Sequence, residues 1–184
     1  MTALCLDPVI PLIDSRLRRG AKVLCFGTLV PYIECRTLRA GAVPTTVSPA
    51  RLRYATDRVT SVDRATVTNQ GLVFDLAVAA LTIGRAGLGV FGEEIDEGAD
   101  RSTMQWLRRA LAPGGQLLAS FFVGPAALLY NAARIYDDNG LARLFDGWRV
   151  TEENGLKDPI FPALRSDLDP DCRSRLRAFA LAPA

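Results

Sequence analysis

Histidine is absent from the 184-residue sequence. Its absence removes the usual general base, the commonest metal ligand and the Ser/His and Cys/His nucleophile systems together. Any chemistry that this chain performs must therefore use carboxylates, phenols, thiols, the cationic side chains, backbone dipoles or a cofactor.

Three further features are scarce, and each excludes a class of protein. The four cysteines show no CxxC spacing, which is typical of small buried residues rather than of a zinc or redox centre, so we expect no metal site. The net charge is only +2 and its signs are interspersed, which argues against a nucleic-acid partner. No apolar run is long enough to span a membrane and no secretion signal is recognisable, so we expect a cytoplasmic protein that does not insert into membranes.

Apolar runs and helical patterns alternate along the chain. At 49% apolar residues, its length suits one domain, 1–184. Apolar runs bounded by glycine or proline predict strands, and apolar residues at helical spacing predict helices. The predicted strands are 21–27, 43–47, 72–83, 116–124, one from residue 148, and 174–183. The predicted helices are 7–19, 28–42, 100–111 and a short one before residue 148. Residues 51–71 carry a weak pattern, with at most one short strand.

Strands separated by helices predict an α/β fold, with a mostly parallel sheet covered by helices on both faces. The last two strands have no helical pattern between them, which indicates an antiparallel hairpin at the sheet edge. Ligands of such sheets bind outside the carboxyl ends of the strands, at the switch in strand order. This rule predicts a ligand pocket at the end of the first strand, near Phe26, Gly27 and Thr28. Glu34, one turn into the next helix, should lie near the same pocket.

The stretch GLGVFGEEIDEGAD, residues 87–100 and here named the acid loop, has glycines spaced like a dinucleotide fingerprint. A true fingerprint follows the first strand and starts a helix, whereas this one follows a late strand and runs into five acids that would repel a phosphate. It also lacks the ligand spacing of an EF-hand. We therefore predict a solvated loop that caps the following helix through Asp100.

Several stretches together resemble a methyltransferase-like family known only as a domain of unknown function. They are FDLAVAALTI, GLGVFG with the acids after it, RALAPGGQLLASFFVG, LLYNAARIYD and LFDGWRV, and the resemblance covers residues 22–150. The family is similar to class I S-adenosylmethionine methyltransferases. The implied fold is Rossmann-like, with a seven-stranded sheet whose last strand is reversed, in agreement with the edge hairpin.

The resemblance also implies a site. Glu34 matches a family acid, Ser48 stands where methyltransferases bind the cofactor's ribose, and Leu81 lies at the end of the strand that touches the methyl donor. Arg134 and Tyr136 belong to the YNAxRIY motif, where a structural arginine that pins a loop is the alternative. The implied cofactor-binding residues are Phe26, Gly27, Thr28, Ser48 and Leu81. The implied catalytic residues are Glu34, Arg134 and Tyr136.

The chain departs from the family at four places. Gly84 and Arg85 stand where members usually have Glu-His, and Ala133 replaces the histidine of YNAHR. Residues 90–91 replace an Arg-Tyr pair, and Ser48 replaces the acid that pairs with the ribose. A serine makes one such bond where a carboxylate makes two charge-assisted ones, a difference of about 1.5 to 3 kcal/mol.

The first hypothesis is an S-adenosylmethionine-dependent methyltransferase acting on a small or carbohydrate-like acceptor, with Glu34 or a carboxylate of the acid loop as base. A second hypothesis is a degenerate member that no longer methylates and serves as a binding or partner subunit. A third is a pocket used for another small-molecule reaction, such as a cyclisation. The expected partner is a small molecule, and a protein partner or a homo-oligomer is left open.

Overall fold

The computed structural model describes residues 7–28, 30–48, 52–90, 92–129, 131–155 and 174–184. The helices within these residues are α1 Val9–Arg16, α2 Tyr32–Arg39, α3 Arg64–Asn69, α4 Ala99–Arg109 and α5 Asp138–Leu144. The strands are β1 Lys22–Phe26, β2 Val43–Val47, β3 Thr60–Val62, β4 Phe74–Ala80, β5 Leu111–Val123, β6 Ala127–Leu129, β7 Ala133–Tyr136, β8 Trp148–Gly155 and β9 Arg175–Pro183.

The sheet is mostly parallel and has an antiparallel edge pair, so the predicted Rossmann-like α/β fold is confirmed. Strands β3, β2, β1, β4 and β5 lie side by side in that order and run parallel. Strand β9 then pairs antiparallel with β5, and β8 pairs antiparallel with β9 at the edge. A switch in strand order therefore falls between β1 and β4, next to the end of β1.

The central strands are buried on both faces, which explains their nearly continuous apolar sequences. In β4, Leu76 and Val78 pack in one core cluster with α1 and α2, while Ala77 and Ala79 pack in the other cluster with α4. Alternate residues of β1 and β5 divide between the same two clusters. Helices thus cover both faces of the sheet and leave its carboxyl edge for a site.

Three features of the fold differ from the sequence-based prediction. Residues 51–71 were expected to form at most one short strand, but they also form helix α3, whose N-cap is Asp63. The APGG stretch was expected to separate α4 from the next strand, but β5 begins at Leu111 and passes through it with a bulge opposite Phe74. A bulge accommodates the same proline and glycine residues as a turn, so local sequence does not separate the two. The stretch after β5 forms a small hairpin, β6 and β7, which brings the sheet to nine strands within the described residues.

Candidate functional site

A cavity of about 720 Å³ opens at the carboxyl ends of β1, β2 and β4. Its volume is within the range of roughly 300 to 1,000 Å³ that small-molecule and cofactor sites occupy. Apolar side chains form much of its inner surface, among them Phe26, Val47 and Leu81. The acid loop and the first turns of α3 and α4 complete its lining. Both its place in the fold and its size suit a small organic ligand.

The structure brings the five residues predicted to bind a cofactor into this one cavity. Phe26, Gly27 and Thr28 come from the end of β1, Ser48 from the end of β2, and Leu81 from the end of β4. They line one continuous surface although 55 residues separate the first from the last. The parallel sheet is what gathers them, because it places the carboxyl ends of its strands at one edge.

Gly27 forms a tight turn against the side chain of Thr82, which lies just after β4. Its φ is +70°, and a Cβ at this position would lie 2.7 Å from Cβ of Thr82. The Thr82 hydroxyl also donates a hydrogen bond to the Phe26 carbonyl over 3.2 Å. Both the backbone conformation and the contact with Thr82 therefore require glycine here.

Ser48 has a buried hydroxyl that forms no hydrogen bond with any of the described residues. Ser48 belongs to the lining of the cavity at the end of β2, and its Oγ has neither a donor nor an acceptor within hydrogen-bond distance among the described residues. Buried polar atoms in folded proteins are almost always paired, and an unpaired one costs about 1 to 3 kcal/mol. A ligand hydroxyl at this point would supply the missing partner, so the residue fits a ribose.

Leu81 is held in a strained conformation at the floor of the cavity. Its φ is +55°, a value that costs a residue with a Cβ roughly 1 to 2 kcal/mol. Its N–H donates to the buried Ser120 hydroxyl over 3.0 Å, and that hydroxyl donates to the Asp7 carboxylate over 2.8 Å. Burial raises the pKa of Asp7. The start of α1 is thereby connected to the backbone that lines the site.

Arg64, at the start of α3, lines the cavity and was not predicted from the sequence. Its guanidinium lies 4.8 Å from the ring centre of Phe26 and 5.0 Å from that of Trp106, and it donates to the Thr103 hydroxyl over 2.6 Å. Burial lowers the pKa of Arg64. Because its segment lacks a clear pattern, no sequence signal indicated this placement.

Arg85, in the 3-10 turn that follows β4, is a second cation in the lining that sequence reasoning missed. Its Nε is buried and has no hydrogen-bond partner among the described residues. Burial lowers the pKa of Arg85 as well. The departure from the family's Glu-His at this position was visible in the sequence, but its direction toward the cavity was not.

The acid loop contributes carboxylates to the cavity, through Glu93, Glu94 and Asp96. Glu94 and Asp96 are exposed to solvent, so the loop is solvated as expected. The prediction that Asp100 caps α4 is wrong. The N-cap is Gly98, which provides no side-chain cap. Asp100 lies buried in the first helical turn, where the Tyr136 hydroxyl donates a hydrogen bond to its Oδ2 over 2.8 Å.

The residues Asp100, Arg134 and Tyr136, here named the arginine cluster, lie behind the acid loop and outside the cavity lining. Arg134 donates to the carbonyl of Ala86 over 2.6 Å and to the carbonyls of Asp96 and Glu97 over 3.1 and 3.3 Å. Its Nε lies 3.7 Å from Oδ2 of Asp100. This is the geometry of an arginine that pins a loop, the alternative that the sequence left open.

Glu34 lies beneath the β1 and β2 ends with no exposed surface. The hydroxyls of Thr28, Thr46 and Tyr54 approach its Oε1 at 2.6, 2.8 and 3.0 Å, and we name these four residues the hydroxyl cluster. Its Oε2 is buried without a partner in the described part of the chain. Glu34 thus supports Thr28, which lines the cavity, and is itself absent from the lining.

Cysteine placement agrees with expectation at one described position and not at another. Cys25 is fully buried in β1, and burial, followed by the charge of Glu34, raises the pKa of its thiol. Cys35 is exposed on α2, against the expectation of small buried residues. Cys5 and Cys172 lie outside the described residues.

The described ranges contain no group of three or more Cys, Asp or Glu side chains arranged to hold a metal ion. No helix within them has the length and apolar character needed to cross a membrane.

The chain belongs to the family DUF268, described as a Caenorhabditis protein of unknown function, whose model matches residues 20–157. No curated protein matches it.

Solved structures with the same fold are numerous and distant in sequence. One is the 1,6-didemethyltoxoflavin-N1-methyltransferase of Burkholderia thailandensis, with its substrate and S-adenosylhomocysteine bound. It has 15% identity and a TM-score of 0.68, and the match covers 96% of this chain and 77% of that one. The TehB-like S-adenosylmethionine-dependent methyltransferase of Corynebacterium glutamicum has 17% identity and a TM-score of 0.62, with 97% and 89% covered. The [4+2]-cyclase SpnF has 14% identity and a TM-score of 0.65, with 93% and 78% covered.

Proposed function

We propose that the cavity binds S-adenosylmethionine and that the protein transfers its methyl group to a small or carbohydrate-like acceptor. The observation that carries this proposal is the unpaired Oγ of Ser48, a residue that lines a cavity of about 720 Å³ at the end of β2, where the family resemblance implies a ribose. The distant methyltransferase structures support the fold alone, and the site has to support the function.

The residues present fit the cofactor. Ser48 would bind a ribose hydroxyl, the turn at Gly27 and Thr28 would border the nucleoside, and Phe26 and Leu81 would supply apolar contacts. S-adenosylmethionine provides a methyl group on a sulfonium, whose transfer needs mainly proximity and orientation in a site shielded from water. A chain without histidine can therefore support this reaction.

The three residues first assigned to catalysis receive other roles in this proposal. Glu34 positions Thr28, while Arg134 and Tyr136 position the acid loop and the start of α4. For a hydroxyl acceptor, the base would be a carboxylate of the acid loop, because Glu93, Glu94 and Asp96 line the cavity and Glu34 does not. A general base must reach the proton that it removes.

Calorimetric titration with S-adenosylmethionine and S-adenosylhomocysteine tests the proposal. We expect binding of both to the unaltered protein. Ser48→Ala should weaken binding by roughly three- to tenfold, the value of one neutral hydrogen bond. Ser48→Asp should tighten binding by roughly tenfold, because a carboxylate accepts stronger bonds from a ribose.

Ser102→Ala is the matched control, because Ser102 also lines the cavity but its hydroxyl is already paired with the Ala99 carbonyl. It should leave both affinities unchanged. Ser48→Ala should also leave the melting temperature unchanged, since its Oγ forms no bond within the described chain. No heat with either ligand at millimolar concentration would contradict the proposal and favour a partner-subunit role.

A cyclisation is the second candidate. The apolar inner surface of the cavity and the likeness of the fold to a [4+2]-cyclase favour it. Consumption of S-adenosylmethionine separates the two candidates. A methyltransferase consumes it, whereas a cyclase converts its substrate without consuming it, and mass spectrometry of the reaction mixture measures the difference.

A further inference from the structure

Arg85 differs from the other arginines around the cavity because its guanidinium forms no hydrogen bond or ion pair with the described residues. Arg64 lies over the rings of Phe26 and Trp106 and donates a hydrogen bond to Thr103. Arg134 is bonded to three carbonyls. Arg85 has a buried Nε without a hydrogen-bond partner, and within the described residues it forms no ion pair.

A partly buried cation without a partner lowers stability, since desolvation is not compensated. Such an arrangement persists at functional sites, where a ligand supplies the missing charge. A guanidinium presents a planar fork of donors that matches a carboxylate, so the ligand group that suits Arg85 is a carboxylate.

The other charges in the lining indicate that the ligand is not a simple anion. Glu93, Glu94 and Asp96 line the same cavity, and Glu94 and Asp96 are exposed on the acid loop. A purely anionic ligand would be repelled by these carboxylates. A ligand that carries both a carboxylate and a positive charge would satisfy Arg85 and the acid loop together.

The order of the strands relates Arg85 to Ser48. Ser48 follows β2 and Arg85 lies in the turn after β4, with β1 between these two strands. The ends of β2 and β4 are therefore two strand spacings apart, about 10 Å. An extended ligand that lies across the end of β1 has one end near the unpaired hydroxyl of Ser48 and the other near the unpaired Nε of Arg85.

We infer that Arg85 binds the carboxylate of the amino-acid tail that is attached to the sulfur of a 5′-thionucleoside, whose ribose pairs with Ser48. This inference rests on the proposed function, because S-adenosylmethionine and S-adenosylhomocysteine both carry such a tail, and it adds a residue that binds the tail. The ammonium of the tail, and the sulfonium of S-adenosylmethionine, would face the acid loop.

Calorimetric titration of the full chain with S-adenosylhomocysteine and with methylthioadenosine tests the inference. The second ligand keeps the nucleoside and the sulfur but lacks the amino-acid tail. Arg85→Met should weaken binding of S-adenosylhomocysteine by roughly ten- to hundredfold, the range for a charge-assisted pair, and should leave methylthioadenosine unchanged. Arg85→Lys should weaken binding of S-adenosylhomocysteine less, because lysine keeps the positive charge but lacks the planar pair of donors.

Arg149→Met is the matched control, since it removes the same charge from an exposed position on β8, at the far edge of the sheet. It should change neither affinity. A melting temperature that is unchanged or higher in Arg85→Met would support a role in binding, whereas a structural role requires a decrease.

The outcomes separate this inference from the proposed function. Unaltered affinity for both ligands in Arg85→Met, or an equal loss for both, would overturn the role in binding the tail while the cofactor proposal stands. If the unaltered protein binds neither ligand, both the cofactor proposal and the role of Arg85 fail.

Discussion

Glu34 and Asp100 are two buried carboxylates next to the same cavity, and their partners differ. Three hydroxyls bond to Oε1 of Glu34, and its Oε2 has no partner among the described residues. Asp100 accepts a hydrogen bond from Tyr136 and has the Arg134 guanidinium 3.7 Å from its Oδ2. At the ends of β1 and β2, by contrast, Oε2 of Glu34 and Oγ of Ser48 are both left without a partner in the described part of the chain.

This difference separates the part of the site that holds the fold from the part that suits a ligand. The arginine cluster fixes the backbone of the acid loop through three carbonyls. The hydroxyl cluster holds Thr28 in the lining, and the unpaired Oγ of Ser48 lies in the same lining. Ligand-binding surfaces keep polar groups available, while structural ones pair them internally.

The largest effect should come from Gly87→Ala, which tests how firmly the acid loop is held. Gly87 has a φ of +69°, and a Cβ there would lie 2.2 Å from the backbone oxygen of Asp96. Backbone cannot move away as a side chain does, so we expect a loss of about 3 to 4 kcal/mol in the free energy of unfolding, measured with denaturant.

Gly92→Ala is the control within the same loop. Gly92 has a φ of +77°, but no atom of the described residues lies within 4 Å of a Cβ placed there. Gly92→Ala should lower the free energy of unfolding by about 1 kcal/mol, which is the cost of the backbone conformation alone. Equal losses at the two glycines would show that the acid loop is not packed as the arginine cluster implies.

A second prediction compares the two carboxylates directly. Asp100→Asn should lower the free energy of unfolding by about 2 kcal/mol, because Arg134 loses its counter-charge and Tyr136 its charged acceptor. Glu34→Gln should change it by less than about 1 kcal/mol, because the amide keeps an acceptor oxygen for the hydroxyls and removes a buried charge that no cation of the described residues pairs.

Denaturant unfolding of the two variants, with Glu152→Gln as an exposed control, provides the measurement. The exposed pair of Glu152 with Arg16 should contribute less than about 1 kcal/mol. If Glu34→Gln lowers the free energy of unfolding as much as Asp100→Asn does, the hydroxyl cluster stabilises the fold as strongly as the arginine cluster.

The side of the site that the strand ends define could be predicted from the sequence. The apolar runs that form β1, β2 and β4 are distinct, and a parallel sheet brings their ends together, so the residues after them could be placed. The exact match of β2, Val43–Val47, shows how well a short run bounded by turn residues is defined. That Ser48 lies in the cavity lining follows from this placement.

The arginines could not be placed in the same way. Arg64 begins α3 in a segment without clear periodicity, and Arg85 lies in a short turn, so no pattern gives the direction of either side chain. Arg134 was identified from the YNAxRIY motif, but its three carbonyl partners belong to a distant loop. Such partners depend on tertiary packing, which local spacing does not encode.

The smallest effect concerns pH and compares the tyrosines of the two clusters. Burial, with smaller contributions from Glu34, raises the pKa of Tyr54 to about 12. Burial and the charge of Asp100 raise the pKa of Tyr136 further. An unfolded chain releases a tyrosine proton near pH 10, so between pH 10 and 12 the folded state retains protons that the unfolded state loses.

The free energy of unfolding should therefore fall as the pH rises from 10 toward 12 and should be unaffected by these groups below pH 10. Tyr54→Phe should make this fall shallower, and Tyr136→Phe should do so at least as strongly, because its folded-state pKa is the higher one. Denaturant unfolding across this pH interval measures the slopes. Equal slopes in the unaltered protein and in Tyr54→Phe would mean that Tyr54 is not held against Glu34, and the contrast between the two clusters would then rest on Asp100 alone.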